Sequence, residues 1–209
     1  MDDEPKWRRR KEARPAEIIN AAIDVFSERG FANAKLDEVA RRAGVVKGTL
    51  YRYFDSKEAL FRAVVQHLIT NHLQSVENSA ATLQGSLANF VPMLLGTAAR
   101  RLGDPRLPGL ARMVLTESRS FPDLATVWHD ELASRMLSLV AGMVAKAQER
   151  GEIRQGDPKL YAFSILGPMT MGVLFHEIFG SRPGAPDLEK LAIQHAETIL
   201  RGMAVSKPE

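Results

Sequence analysis

Cysteine is absent from the 209 residues, so disulfides, thiolate nucleophiles and cysteine-ligated metal centres are excluded. No uninterrupted apolar run approaches the ~20 residues that a membrane-spanning helix needs. The opening stretch, Met1 to Arg10, is charged and has no apolar centre of the kind a secretion signal carries. A cytoplasmic chain without a membrane partner is therefore the expectation. Strand-type alternation, internal repeats and low-complexity tracts are missing as well. So are the usual chemical signatures. No phosphate-binding glycine motif occurs. His176-Glu177 begins like a zinc-protease motif, but Gly180 stands where the second histidine is needed. His129 and Glu131 do not share a helical face, and His67 and His72 are five apart. No catalytic residue, metal or cofactor is therefore expected, and an enzyme is the weakest alternative.

What the chain does have is an uneven charge. The net charge is only +3, yet residues 5–57 carry thirteen Lys/Arg against seven Asp/Glu. The remainder beyond residue 57 is balanced. A basic segment on a neutral body suits one end that meets a polyanion, although a solvated basic face would look the same.

The apolar pattern is helical nearly throughout, which predicts an all-α fold of about nine helices. Pro15 suits a first helical turn. Ile18, Ala22, Val25 and Phe26 then form a stripe that Gly30 stops. Leu36, Val39, Ala40 and Ala43 give a short second face closed by Gly44. A third helix is predicted from about Lys47 to Phe54, and a fourth begins at Lys57 behind Ser56 as its cap. Further helices are predicted over about 84–102, 106–119, 122–149, 158–179 and 187–203. Gly103-Asp104-Pro105, Phe121-Pro122, Gly151 with Gly156-Asp157-Pro158, and Gly180 to Pro186 separate them. Pro92 and Pro168 fall inside helical patterns and are expected to kink them.

The informative stretch is Leu36-Asp-Glu-Val-Ala-Arg-Arg-Ala-Gly-Val-Val-Lys-Gly-Thr-Leu-Tyr-Arg-Tyr-Phe54. Two short helices flank a glycine turn, with Val39, Ala40, Val45 and Leu50 as the small core that fixes their angle. Such a helix-turn-helix leaves the outer face of its second helix free for a major groove. The residues there suit DNA chemistry. Lys47 and Arg52 can meet phosphates or guanine edges, Thr49 brings a hydroxyl and a methyl, and Gly48 permits close approach. Tyr51 and Tyr53 bring phenolic donors, and Lys57 a further phosphate contact. Arg8, Arg9 and Arg10, read as preceding the first helix, are candidates for a minor-groove arm. A helical protein that uses the same motif for a protein partner is the alternative.

Residues 14–61 resemble the TetR family of one-component regulators. The match runs through Phe26-Ser-Glu-Arg-Gly-Phe31, Leu36-Asp-Glu-Val-Ala40, Ala43-Gly44-Val45, Lys47-Gly-Thr-Leu-Tyr51, Tyr53-Phe54 and Ser56-Lys57-Glu-Ala-Leu60, and the head is AcrR-like. The resemblance implies a recognition helix over 47–53. It also implies a homodimer on a pseudo-palindromic operator in double-stranded DNA, and a repressor released when a ligand enters the larger domain. Two positions depart from the pattern: Lys35 replaces the usual threonine before the second helix, and Val46 the usual serine before the third. Neither caps a helix as those residues do, so a less rigid reading head is expected, and Lys35 becomes a further candidate for phosphate.

The expected division is an N-terminal arm and helix-turn-helix domain over 1–56 and an effector-binding and dimerisation domain over 57–209. Glu117-Ser-Arg-Ser-Phe-Pro-Asp-Leu124, followed by Trp128, resembles the AefR-like branch. Phe90, Met93, Met113, Trp128, Met136, Met169 and Phe175 are candidates to line a pocket for a small apolar or amphipathic effector, since methionine adapts its shape. Each is also an ordinary core residue. The helices over 158–179 and 187–203 carry more apolar residues than one layer needs, and by resemblance they dimerise through a four-helix bundle.

Overall fold

The computed structural model describes residues 6–82, 86–102, 106–180 and 182–205. They form α1 (Lys6–Asn33), α2 (Leu36–Arg42), α3 (Lys47–Tyr53), α4 (Lys57–Thr82), α5 (Leu87–Leu102), α6 (Arg106–Glu117), α7 (Pro122–Trp128), α8 (Ser134–Glu149), α9 (Pro158–Phe179) and α10 (Leu188–Met203). A π-helical turn, His129–Ala133, joins α7 to α8, so the predicted single helix over 122–149 is continuous but carries one wider turn. Counted as uninterrupted runs, the all-α expectation of about nine helices holds. The break expected at Gly103-Asp104-Pro105 lies outside the described residues.

The chain packs as two compact units. The first takes in the chain up to Leu68 together with Gly109–Glu131, and the second takes in Ile69–Pro108 and Leu132–Glu209. In the first, α1 buries Ile18, Ala22, Ile23, Val25 and Phe26 completely or nearly so. Leu60, Phe61, Val64 and Val65 of α4 are buried too. Phe26, Phe31 and Phe61 form an aromatic cluster with ring centres 5.8–6.0 Å apart, and Phe121 meets Phe31 edge-on at 5.1 Å. Two sequence expectations change here. The helix α1 begins at Lys6, so Arg8, Arg9 and Arg10 lie on it rather than ahead of it, as befits a run of strong helix formers. Their side chains are outside the described ones. Pro15 accordingly sits inside the helix rather than in its first turn.

In the second unit, α10 packs on α5 and α9, and α8 packs on α9. Leu87, Phe90, Leu95, Val140, Val144 and Ile165 form the dry centre. A Cβ on Gly172 would lie 2.7 Å from Leu188 Cδ2, so that glycine serves close approach of α9 to α10 within one chain. Both last helices open behind an aspartate cap. Asp157 accepts from the Lys159 amide at 2.8 Å. Asp187 accepts from the Glu189 and Lys190 amides at 3.0 and 3.1 Å, which holds its carboxyl below the ordinary range.

Pro168 does not break α9. It lacks the N–H that would reach the Ser164 carbonyl one turn back. His195 of α10 supplies the donor instead: its Nε2 lies 3.1 Å from Ser164 O and 3.1 Å from Ile165 O. Two carbonyls can only accept, so Nε2 carries the proton.

Candidate nucleic-acid interface

The reading head is built on α2 and α3, each seven residues long. Helices this short do not stand alone in water, so their neighbours must fix them. Val39 and Ala40 of α2 and Leu50 of α3 are buried, and Val45 is half-buried between them. Gly44 has φ +65°, and its amide and that of Val45 close the end of α2 on Arg41 and Ala40 carbonyls at 3.2 and 2.9 Å. This is the turn predicted from the sequence.

With Leu50 turned inward, Lys47, Gly48, Tyr51 and Arg52 are exposed, and Thr49 and Tyr53 are half-buried. A Cβ on Gly48 would meet nothing within 4 Å, so that glycine is not demanded by packing. Lys47 Nζ lies 2.8 Å from Asp37 Oδ1, which raises its pKa, and 5.9 Å above the Tyr51 ring. Both partners of that ion pair are well exposed, so it costs little to exchange for a phosphate. Lys35 is exposed ahead of α2. Neither Lys35 nor Val46 makes a side-chain cap, as their types predict, and Val46 is 73% exposed.

The head is nonetheless held at two places the sequence did not reveal. The first is Arg42. Its guanidinium takes both oxygens of Glu28 on α1, at 2.8 and 2.7 Å, and Glu38 one turn back at 2.7 Å. Both glutamates are thereby held below the ordinary carboxylate range, first through these hydrogen bonds and then through nearby arginine charge.

The second place is the turn between α1 and α2. Gly30 breaks α1 at φ 73°, ψ 173°. The following amides of Phe31 and Ala32 are received by the two carboxylate oxygens of Glu117, at 3.0 and 2.6 Å. The carbonyls of the same turn are taken by Lys57: Nζ donates to Phe31 O at 2.6 Å and to Ala34 O at 3.2 Å, and sits 4.6 Å over the Phe31 ring. Lys57, singled out for phosphate, thus already has protein acceptors. Only its position after the Ser56 cap, where Ser56 Oγ accepts from the Ala59 amide at 3.0 Å, was legible beforehand. The sign of Glu117 was readable, but not its target 85 residues away.

The effector candidates are scattered. Phe90 and Met169 belong to the core of the second unit, with Met93 and Met136 packed against it. Met113 and Trp128 fall in the first unit, and Phe175 meets Phe179 in a tilted pair, ring centres 4.9 Å apart. On α9, Leu160, Phe163, Met171, Ile178 and Phe179 are exposed, as is Ile193 on α10. With Gly167 and Leu174 the first four mark a stripe at helical spacing. This helix is also long and apolar enough to cross a membrane, with mean hydropathy 1.3, although the sequence holds no uninterrupted apolar run of that length. Among the described residues no three His, Asp or Glu side chains are grouped as metal ligands would be.

Residues 18–64 match the profile of the bacterial regulatory proteins of the tetR family, and residues 82–181 match the tetracyclin repressor-like C-terminal domain. The chain belongs to the TetR family. This TetR-family transcriptional regulator is 40% identical over 60 residues to the uncharacterized HTH-type transcriptional regulator YvdT of Bacillus subtilis. That match spans 29% of this chain and 31% of the relative. It is 28% identical to a solved TetR-family regulator from Mesorhizobium loti, with TM-score 0.77 and 97% and 100% of the two chains covered. It shares the fold of FadR from Bacillus subtilis, solved with stearoyl-CoA, at TM-score 0.76 and 21% identity over 90% and 98% of the chains.

Proposed function

We propose that this regulator is a sequence-specific DNA-binding repressor, acting in the cytoplasm as a homodimer on a pseudo-palindromic operator. The observation that carries the reading is the division of α3. Leu50 is buried beneath it, while Lys47, Gly48, Tyr51 and Arg52 stand outward with nothing packed over Gly48. That face can enter a major groove, with Lys35 on the adjoining backbone. Two such helices from a dimer would meet successive grooves ~34–36 Å apart. The residues that read DNA are assigned to 1–56, and the effector and dimerisation roles to 57–209, although the compact unit that holds the head also takes in Gly109–Glu131. The finer likeness, AcrR-like in the head and AefR-like over Glu117–Leu124, belongs to this proposal too.

The exposed stripe of α9 supports the dimer. Its opposite face already buries Ala162, Ile165, Met169 and Val173. With one apolar face packed inside its own unit and a second left exposed, α9 has apolar surface to spare, and a partner helix would cover it. For the effector, the relative solved with stearoyl-CoA favours a ligand with an acyl chain, and Phe90, Met93, Met136 and Met169 are the candidates that share one cluster. An enzyme has no comparable support.

The test is binding to the intergenic DNA beside the gene, with Lys47→Ala and Tyr51→Ala as variants. Specific binding lost in both variants is the expected result. Binding of the wild-type chain no tighter than to unrelated duplex, or variants that bind normally, would refute the reading.

A further inference from the structure

We infer that Glu117 is a positioning residue for the reading head: it touches no DNA, but its carboxylate sets the turn from which α2 departs. The inference rests on the DNA-binding reading above. Its geometry stands within one compact unit. After the break at Gly30, residues 31–33 form the last, short turn of α1, with unmet amides at its start and unmet carbonyls running on to Ala34. An anion takes the first pair and a cation the last. Glu117 receives the Phe31 and Ala32 amides, and Lys57 donates to the Phe31 and Ala34 carbonyls. Charges of these signs at these ends also match the dipole of the turn. The next residue is Lys35, at the N-cap of α2, which makes no side-chain cap. Glu117 and Lys57 thus do not cap α2 itself; they hold the turn from which it departs.

The surroundings fit a close, deliberate approach. A Cβ on Gly30 would overlap the Glu117 carboxylate, and one on Gly109 of α6 would come within 3.0 Å of Ser27 on α1. Phe121, four residues beyond Glu117, packs on the Phe31 ring. Glu117 therefore ends a helix that already lies against α1. Its removal would leave the Phe31 amide, in a buried residue, without its acceptor.

The test uses the full chain and the intergenic duplex. Glu117→Ala is expected to weaken binding about tenfold, from two charge-assisted bonds lost at the turn. Glu117→Gln, which keeps one acceptor oxygen, should fall between it and wild type. Glu131→Ala, which removes a carboxylate that accepts from Arg62 and Gln66 in the same unit but bonds to no residue of the α1–α2 turn, should bind within about twofold of wild type. The salt dependence separates positioning from contact. The slope of log affinity against log salt should be unchanged in Glu117→Ala, and shallower by about one in Lys47→Ala. Without DNA, amide exchange over residues 31–42 should speed up in both Glu117 variants. Wild-type affinity and exchange in Glu117→Ala would overturn the inference, and so would a reduced salt slope. A wild-type chain that binds no duplex would refute the DNA-binding reading instead, and the exchange arm would still decide whether Glu117 holds the turn.

Discussion

Replacing Gly30 by alanine should be one of the costliest single-methyl changes in the first unit, and the cost can be divided. The backbone there, φ 73° and ψ 173°, lies in a region almost reserved for glycine, worth ~1–3 kcal/mol of strain to any other residue. The new Cβ would also overlap a Glu117 oxygen. The carboxylate must then retreat from the two amides it receives, and Ala32 can recover water where buried Phe31 cannot. That adds about 2 kcal/mol, for a total near ~3–5 kcal/mol. Gly44→Ala is the comparison. Its φ is also positive, at +65°, but a Cβ there meets nothing, so only the left-handed cost of ~1–2 kcal/mol applies. In urea, at a slope of about 2 kcal/mol per molar, the midpoint should fall by roughly 2 M for Gly30→Ala and by about half that or less for Gly44→Ala. In a Glu117→Ala background the overlap disappears, and Gly30→Ala should cost only its strain. Equal effects at the two glycines, or a Gly30→Ala cost unchanged by removing Glu117, would refute the reasoning.

Three further outcomes are expected. His195→Ala should destabilise the chain by ~1–2 kcal/mol in urea because the Ser164 carbonyl loses its donor, and Pro168→Ala, which restores a backbone donor, should remove most of that loss. The head should lose stability in acid. Glu28 and Glu38 are held below their ordinary value of 4.5, so their contribution is present above that pH and fades as pH falls through the lowered values. Arg42→Ala should flatten that part of a stability–pH profile measured by thermal melting. Met171→Glu on the exposed stripe of α9 should shift the solution mass from twice 23.1 kDa to a single chain, and a persistent dimer would move the interface elsewhere.

The locally encoded parts of this structure were the legible ones. Gly30, Gly44 and Gly180 ended helices where they stand, Ser56 capped the next one, and Leu50 turned inward beneath the α3 face. Each depends on neighbours a few residues away. What escaped the sequence is long-range. Glu117 reads as a charge in a polar turn until the fold brings it to amides 85 residues earlier, and Lys57 reads as a surface cation until Phe31 and Ala34 are placed beneath it. The π turn at His129–Ala133 buries none of its five residues, so no apolar position within it marks the wider turn. That α9 runs on through Pro168 was not legible, because the histidine that serves the Ser164 carbonyl sits on another helix. Methionine and aromatic content suggested a pocket, but composition does not say which of those side chains share a unit.

The return of Gly109–Glu131 to the first unit has a bearing on modularity. A fragment ending at Ser56 or Leu68 would carry every residue on the outer face of α3, yet it would lack the carboxylate, the Phe121 ring and the α6 surface that complete the α1–α2 turn. The head is therefore discontinuous along the chain and is not a portable N-terminal cassette. A chimera that grafts it onto another regulator's body would have to bring the 109–131 segment with it, or accept a host segment that presents a carboxylate at the same place.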